Sequence, residues 1–310
     1  KELIIGLEEK KKALEKKIFP IEELLNRFEK RSLDYIDKLL MDGVDNSIAQ
    51  GLAGLDSDRA WQMRDRFFDD GTVDNDFIAQ GLAGLDSDRA WQMREKLLKA
   101  GADKYFIARG LAGLDSDRAW QMREEFLKAG VSNIAQSLAG LDSDRAWEMR
   151  VNFLLNEGTV YKSNIALGLA GLDSDRAWKM RDDFFNDDTV SKGSIAQGLA
   201  GLDSDRAWKM REELLKAGAD KNSIAEGLAG LDSDRAWEMR DDFFDDETVN
   251  KSYIALGLAG LDSDRAWQMR EKLLKAGASD GSVVRGLSGD YTTFVWRLRP
   301  KKEVYMLLKQ

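Results

Sequence analysis

The residues that could do chemistry in this chain are acids, arginines and tryptophans that recur at fixed spacing. Asp56 and Asp58 flank a serine, and Trp61 and Arg64 follow them. The 310 residues include no His and no Cys, which excludes a histidine base, a cysteine nucleophile and the metal sites built from those ligands. Paired aspartates could act alone, but this pair recurs in eight near-identical copies, whereas catalysis needs one unique constellation. We therefore expect a protein that is not an enzyme.

The Asp-Ser-Asp segment is also similar to the start of a calcium-binding loop. The glycine and the distal acidic residue of such loops are missing, however. Aspartate and serine oxygens also accept hydrogen bonds from the first backbone N–H groups of a helix. We therefore predict that Asp56 and Asp58 serve as helix caps, and we predict neither a metal nor a cofactor.

An internal repeat accounts for most of the chain. The segment IAQGLAGLDSDRAWQMR at 48–64 recurs with little change and at nearly constant spacing. Its copies begin at Ile48, Ile78, Ile107, Ile134, Ile165, Ile195, Ile224 and Ile254. A ninth, degenerate copy begins at Val283; it lacks both aspartates but keeps Trp296 and Arg299. A short, regular period of this kind is typical of a solenoid, whose units cannot fold alone.

Each unit is predicted to contain two helices. Apolar residues favour a first helix over 48–55, and a second helix begins near Arg59 and carries an apolar stripe. Gly51 and Gly54 weaken the first helix, so their repetition suggests that a neighbouring helix approaches closely there. Gly101 is a candidate for the residue that ends a second helix. The predicted fold class is all-α.

The chain divides into three parts on this reading. Residues 1–45 form an N-terminal helical cap, 46–278 form eight two-helix repeats, and 279–310 hold the degenerate ninth repeat and a C-terminal cap. Residues 32–43 align loosely with a second helix. We expect one elongated, right-handed α-solenoid with helical caps at both ends.

An arginine lies in the middle of the apolar stripe of every second helix. A buried guanidinium needs a carboxylate partner, and the only acids common to all eight units are the loop aspartates. We therefore predict a ladder in which each arginine bonds a loop aspartate of the preceding unit, so that Arg299 meets Asp262 or Asp264. Its arginines are Arg64, Arg94, Arg123, Arg150, Arg181, Arg211, Arg240, Arg270 and Arg299. Its aspartates are Asp58, Asp88, Asp117, Asp144, Asp175, Asp205, Asp234 and Asp264.

The short two-helix unit with an Asp-x5-Met-Arg pattern resembles the short HEAT-like helical repeats first associated with phycobilisome lyases. Asp58 and Met63-Arg64 match that motif, and the likeness covers about 48–299. The resemblance implies an α-solenoid of two-helix HEAT-like repeats, a buried inter-repeat contact between Asp and Arg, and a helical face that binds partners. The glycine-rich first helix and the Trp of every unit depart from the family pattern.

Three repeated features have competing explanations. Arg59 and its equivalents form a regular row that could follow a nucleic-acid backbone, but acids in the same units offset it, so we do not expect nucleic-acid binding. The tryptophans could form a stacking platform, but their place on the apolar stripe favours core packing. The paired acids at Asp69-Asp70 and its equivalents are explained by solvated turns, or alternatively by a rim for a basic partner or weakly bound divalent cations.

Variation that the fold does not require indicates a binding face. Opposite the apolar stripe of the second helix, the residue changes from unit to unit: Gln62, Gln92, Gln121, Glu148, Lys179, Lys209, Glu238 and Gln268. The third position of the first helix also varies and is expected to face solvent, including Leu167 and Leu256. Neutral drift on a solvated face would produce the same variation.

The sequence therefore predicts a non-enzymatic repeat scaffold that binds a protein or peptide along its helical surface. A nucleic-acid binder that uses the arginine row, or a structural spacer or assembly module, is the alternative. No run of about 18 apolar residues occurs, and the sequence KELIIGLEEKKK lacks the order of a signal peptide. We therefore expect no membrane association and a cytoplasmic location. The oligomeric state and the identity of the partner are left open.

Overall fold

The computed structural model describes residues 26–40, 46–131, 134–155 and 162–288, and these residues form an all-α fold. Short and long helices alternate along them and pack against their neighbours, with no β-strand in the described ranges. The predicted α-solenoid is confirmed. The remaining parts of the predicted caps, including Pro20, Pro300 and the segment with Trp296 and Arg299, lie outside the described residues.

The long helices begin at the second aspartate of each Asp-Ser-Asp segment. The intervening serine is the N-cap: the Ser57 Oγ accepts a hydrogen bond from the Ala60 N–H, where the sequence suggested aspartate caps. Asp58 instead occupies the first turn, where its charge favours the positive end of the helix dipole. The long helices are Asp58–Asp70, Asp88–Lys99, Asp117–Lys128, Asp144–Leu155, Asp175–Phe185, Asp205–Lys216, Asp234–Asp245 and Asp264–Lys275.

The short helices are shorter than the predicted span of 48–55. The first ends at Gly51 and is followed by a turn in which Gly54 has a φ of 76°, a left-handed conformation that favours glycine. Across the described residues the short helices are Asn46–Gly51, Asn75–Gln80, Lys104–Arg109, Ile134–Leu138, Lys162–Leu167, Lys192–Gln197, Lys221–Glu226, Lys251–Leu256 and Asp280–Ser288. Gly101, at a φ of 89°, follows a long helix as predicted.

Glycine at the end of each short helix lets the neighbouring backbone approach, which confirms the prediction for Gly51 and its equivalents. A Cβ atom on Gly81 would lie 1.9 Å from the Ala49 carbonyl oxygen of the preceding short helix. A Cβ on Gly198 would lie 2.1 Å from the equivalent oxygen of Ala166. A Cβ atom cannot lie at that distance from a carbonyl oxygen. The close spacing of consecutive short helices therefore requires glycine at this position.

The fourth unit is the exception to this rule. It has Ser137 at the glycine position, and its short helix Ile134–Leu138 is the one wound as a 3₁₀-helix among those described. The Ser137 side chain donates to the Ile134 carbonyl at 2.6 Å and accepts from Arg123 Nε at 3.0 Å. A side chain at this position therefore coincides with a local rewinding of the helix.

The short helices form a closed ring. Each contacts the next along the chain, and the last, Asp280–Ser288, packs against the first, Asn46–Gly51. The closing contact is also close, because a Cβ on Gly51 would lie 2.5 Å from Val284 Cγ1 and 3.0 Å from the Val284 carbonyl oxygen. The expectation of an elongated array with two free ends is therefore wrong for this structure.

The ninth unit of the ring is built from both ends of the chain. Helical residues 26–40 take the place of its long helix, beside the short helix Asp280–Ser288. Arg31 lies 4.9 Å from the centre of the Trp267 ring and pairs with Asp264 at 3.3 Å. Arg89 makes the equivalent contacts with Trp61 and Asp58. We call the ninth unit, with its two parts, the composite unit.

Candidate partner-binding surface

The repeated arginines are buried, and their hydrogen bonds go to carbonyl groups. Arg64 Nη2 donates to Leu52 O of its own unit at 2.5 Å and to Gly81 O of the following unit at 3.2 Å. Both acceptors belong to the C-terminal ends of short helices, where the helix dipole favours a cation. The same pattern recurs at Arg94, Arg123, Arg150, Arg181, Arg211, Arg240 and Arg270.

The predicted ladder of arginine and aspartate is therefore wrong, although the burial of the arginines was expected. Asp58 has a side chain that is 97% exposed, and its nearest cation is Arg89 on the surface of the following unit. A carboxylate is not the only group that can satisfy a buried guanidinium, because carbonyl groups at the ends of two short helices accept its hydrogen bonds here. Asp262 and Asp264 are contacted by Arg31, while Arg299 lies outside the described residues.

The other aspartates of the predicted ladder are placed as Asp58 is. The aspartates equivalent to Asp58 begin the long helices on the surface, at Asp88, Asp117, Asp144, Asp175, Asp205, Asp234 and Asp264. Burial lowers the pKa of Arg64 to about 10 and that of Arg94 to about 9, because the charged form is desolvated. Both arginines therefore remain charged at neutral pH.

Each tryptophan from the first to the seventh unit is buried, as predicted. Trp61 lies between two guanidinium groups, with Arg64 at 4.7 Å and Arg89 of the next unit at 4.8 Å from its ring centre. Its indole Nε1 donates to Asp56 Oδ1 at 2.7 Å. Asp56 is therefore an anchor for the tryptophan, a role that the sequence argument missed. The invariant spacing of five residues between Asp and Trp was the available signal.

The row of Arg59 equivalents is engaged in contacts between units. Arg89 pairs with Asp65 of the preceding long helix at 2.8 Å, and Arg118 pairs with Asp88 at 2.6 Å. Arg59 itself bonds Asp34 at 2.7 Å and also Asp37, both in the helix of the composite unit. Exposed ion pairs of this kind contribute about 0.2–1 kcal/mol each. The arginines of this row are thus ion-paired with acidic residues of the same chain.

The third position of the short helices is buried or partly buried in every repeat unit from the first to the eighth, and it contacts the neighbouring unit. Gln50 donates from Nε2 to Gln80 Oε1 at 2.7 Å, and Gln197 donates to Glu226 at 2.6 Å. Leu256 is buried, so the expectation that it is exposed was wrong. Variation at this position is therefore variation in packing between neighbouring units.

The acidic tails have a structural use. Asp246 Oδ1 accepts from the N–H and hydroxyl of Thr248, at 2.8 and 2.6 Å, and its other oxygen accepts from Lys221 Nζ at 2.6 Å. The hydrogen bond from Lys221, followed by those from Thr248, holds the pKa of the Asp246 carboxyl well below its usual range. Asp187 makes the equivalent contacts with Lys162 and Thr189. These contacts favour the turn explanation for the acid that lies two residues before the threonine.

The predicted partner row lies on the exposed side of the long helices. All eight of its members are exposed: Gln62, Gln92, Gln121, Glu148, Lys179, Lys209, Glu238 and Gln268. They follow one another around the ring, one per unit, and we call them the outer row. The buried arginine and tryptophan of the same helices point inward. Each long helix thus separates an invariant inner face from a variable outer one.

A groove crosses the outer row between the second and third units. Its volume is about 650 Å³, and Gln92 and Gln121 both line it. Its floor includes Leu98 and Met122, which are partly buried, while Glu95 and Glu125 are acidic residues of the same lining, with Asp88, Trp91 and Arg118 completing it. The groove therefore offers apolar contact and carboxylates together.

Neither a metal-binding cluster nor a membrane-spanning helix occurs in the part of the chain that the structure describes. That part contains no group of three or more acidic residues placed to hold a metal ion. None of its helices is both long and apolar enough to cross a membrane. Comparison of the chain with protein-family models, with curated proteins and with solved structures returned no match.

Proposed function

We propose that this protein is a ring-shaped, non-enzymatic scaffold that binds a protein or peptide partner along the outer row. The observation that carries the proposal is the separation of invariant from variable positions on each long helix. The invariant Trp61 and Arg64 pack inside, whereas Gln62 is exposed and its identity changes between units. A surface that varies without a packing reason, on a rigid framework, suits recognition.

The groove between the second and third units supports a partner of particular chemistry. Leu98 and Met122 suit an apolar side chain, and methionine adapts its shape to different partners. Glu95 and Glu125 favour basic residues beside it, since Arg118 is already paired with Asp88 at 2.6 Å. We therefore propose a peptide segment that carries an apolar anchor with basic residues on either side.

Affinity capture with matched variants tests this proposal. The wild-type ring and a variant with alanine at Gln62, Gln92 and Gln121 are used as baits, and captured proteins are identified by mass spectrometry. The control carries alanine at the exposed Asp183 and Asp242, which lie on other long helices. We expect partners that bind the wild type and the control but not the outer-row variant. Partners that bind all three baits equally would contradict the proposed face.

We also propose that the chain is distantly related to the short HEAT-like repeats. Two helices in each short unit support membership of a helical-repeat class. The family contact between Asp and Arg is replaced here by guanidinium bonds to Leu52 O and Gly81 O, which weighs against a close relation.

The cytoplasmic location expected from the sequence is also part of the proposed function. Fractionation of expressing cells would test it.

Nucleic-acid binding is the weaker alternative. The arginine row that motivated it is engaged by acids of the preceding units, as Arg89 is by Asp65 at 2.8 Å. A backbone-tracking protein would need to break those pairs at each step. A nanomolar affinity for nucleic acid that falls steeply with salt would nevertheless favour this alternative.

A further inference from the structure

The composite unit lacks the arginine that the other eight units bury and the tryptophan that packs beside it. Ile36 occupies the arginine position and Leu33 the tryptophan position, and both are buried. The register is fixed by contacts, since Arg31 stacks on Trp267 as Arg89 stacks on Trp61, at 4.9 and 4.8 Å. Among the described residues, the junction between the composite unit and the first unit therefore has no guanidinium at the position of Arg64 and its equivalents.

A cavity lies at this junction. Its volume is about 280 Å³, and Gly51 and Leu287 line it. These two residues correspond to Gly81 and Leu52, whose carbonyl oxygens accept the hydrogen bonds of Arg64 at 3.2 and 2.5 Å. The cavity thus borders the ends of two short helices, which are the groups that hold a guanidinium at the other junctions.

A buried hydroxyl adds a second, independent feature. Ser32 lines the cavity where the other units have alanine, and it is 0% exposed. Its Oγ has no hydrogen-bond partner in the described residues. A buried polar atom without a partner is unfavourable, and an N–H donor placed in the cavity would satisfy it.

The remaining lining suits a cation with a short apolar part. The carboxylates of Glu29 and Asp56 border the cavity, and Phe28, Leu55 and Ala53 provide apolar contact. Glu29 accepts from the Ser57 N–H at 2.8 Å, so its position is fixed by the first unit. Helix C-termini and carboxylates both favour positive charge.

We propose that this cavity binds a guanidinium group, supplied by an arginine side chain of a peptide or by a small guanidino compound. The eight internal arginines show that the ends of two consecutive short helices accept a guanidinium; at this junction Leu287 O also accepts from the Gly260 N–H at 3.1 Å. Planar N–H donors can reach several carbonyl oxygens at once, which an ammonium cannot do as well. The proposal stands apart from the outer row, so the two can fail separately.

The binding test uses n-butylguanidinium as the probe, with the full chain in isothermal titration calorimetry. We expect saturable binding of one probe per chain, and much weaker binding of the neutral isostere n-butylurea. Parallel titrations with Ac-Ala-Arg-Ala-NH2 and its citrulline counterpart identify the source. Tighter binding of the arginine peptide supports a peptide ligand, and tighter binding of n-butylguanidinium supports a free compound.

Two substitutions tie binding to the cavity. Ile36→Arg places the chain's own guanidinium at the site and should abolish binding. Ser32→Ala removes one hydroxyl and should weaken binding about fivefold, because a single hydrogen bond contributes about 1 kcal/mol. Lys216→Ala, at the exposed C-terminal end of the sixth long helix, is the control and should bind as the wild type does.

Several results would overturn the proposal. These are the absence of saturable binding by both guanidinium probes, equal binding of n-butylurea, or unchanged binding in Ile36→Arg or Ser32→Ala variants that remain folded by circular dichroism. Arg299 aligns with the arginine position of the ninth repeat. If the probes bind to the Arg299→Ala variant but not to the wild type, the cavity holds the chain's own arginine. That result would also overturn the proposal of an external ligand.

Discussion

Each buried arginine caps the C-terminal ends of two short helices with one guanidinium group. Arg94 Nη2 bonds Leu82 O at 2.8 Å and Gly110 O at 3.1 Å, which joins the ends of two consecutive short helices. The guanidinium also lies 4.6 Å from the centre of the Trp91 ring. Because the guanidinium is planar, its face can stack on the indole ring while the N–H groups at its edge donate to the carbonyls.

Substitution of Arg94 separates shape from charge. Arg94 Nε and Nη1 are buried without an acceptor in the described residues, so the charge is only partly compensated. Arg94→Lys should lower the free energy of unfolding by about 3 kcal/mol, because an ammonium keeps the buried charge but loses the stacking and the fork geometry. Arg94→Met should cost less, about 1 kcal/mol. Urea denaturation measures both, and a lysine variant as stable as the wild type would contradict this account.

The glycine requirement is a second prediction at residue scale. A Cβ on Gly198 meets the Ala166 carbonyl oxygen at 2.1 Å, so Gly198→Ala should lower the free energy of unfolding by about 1–3 kcal/mol. Gly193 lies in the short helix that Gly198 caps, and the three atoms nearest to its Cβ would belong to the side chains of Ser223 and Ser191 and not to the backbone. Gly193→Ala is the matched control and should be neutral or slightly stabilising. Equal effects of the two substitutions in thermal unfolding would refute the close-approach argument.

At the scale of elements, the short helix is where the units meet. It is six residues long in most units, too short to be stable alone, so its neighbours must hold it. The left-handed glycine after it turns its N–H toward the next unit: the Gly201 N–H donates to Ala229 O at 2.9 Å. Close helix approach and this backbone bond together couple each unit to the next.

The fourth unit tests whether the glycine sets the helix type. Ser137→Gly should convert 134–138 from a 3₁₀-helix to an α-helix, because the neighbouring backbone can then approach as in other units. Gly110→Ser is the converse variant and should rewind 104–109. Backbone carbon chemical shifts report both changes. A 3₁₀-helix that persists in Ser137→Gly would show that the rest of the fourth unit, and not residue 137, determines the winding.

Much of this element structure could be predicted from the sequence. Repetition identified two helices per unit, and the glycine at position 51 and its equivalents indicated close approach. The partner of Arg64 could not be predicted in the same way, because its acceptors are backbone carbonyls, which every sequence contains. The turn bonds of Asp246 with Thr248 were equally hidden, since the acids looked like a charged surface. The outer row was placed correctly on an exposed face, but its binding role stays a prediction.

At the scale of the whole molecule, the contact between successive units is repeated until it closes. An interface that joins unlike surfaces head to tail gives a ring if the rotation closes and a filament if it does not. Here helix 26–40 completes the last unit, and Arg59 bonds Asp34 at 2.7 Å across the closure. Ring closure removes the exposed apolar ends that an open solenoid must cap.

An engineered disulfide across the closure tests the ring most directly, because the chain has no cysteine of its own. A Cβ on Gly281 would lie 3.1 Å from the Ser47 Cβ, close to the separation that a disulfide needs. Gly193 and Ser223 give the matched pair between adjacent units, at 3.2 Å. After oxidation, we expect both Ser47→Cys/Gly281→Cys and Gly193→Cys/Ser223→Cys to form disulfides within one chain, and Ser47→Cys/Gly193→Cys to form none. A monomer in which only the adjacent-unit pair cross-links would contradict the closed ring.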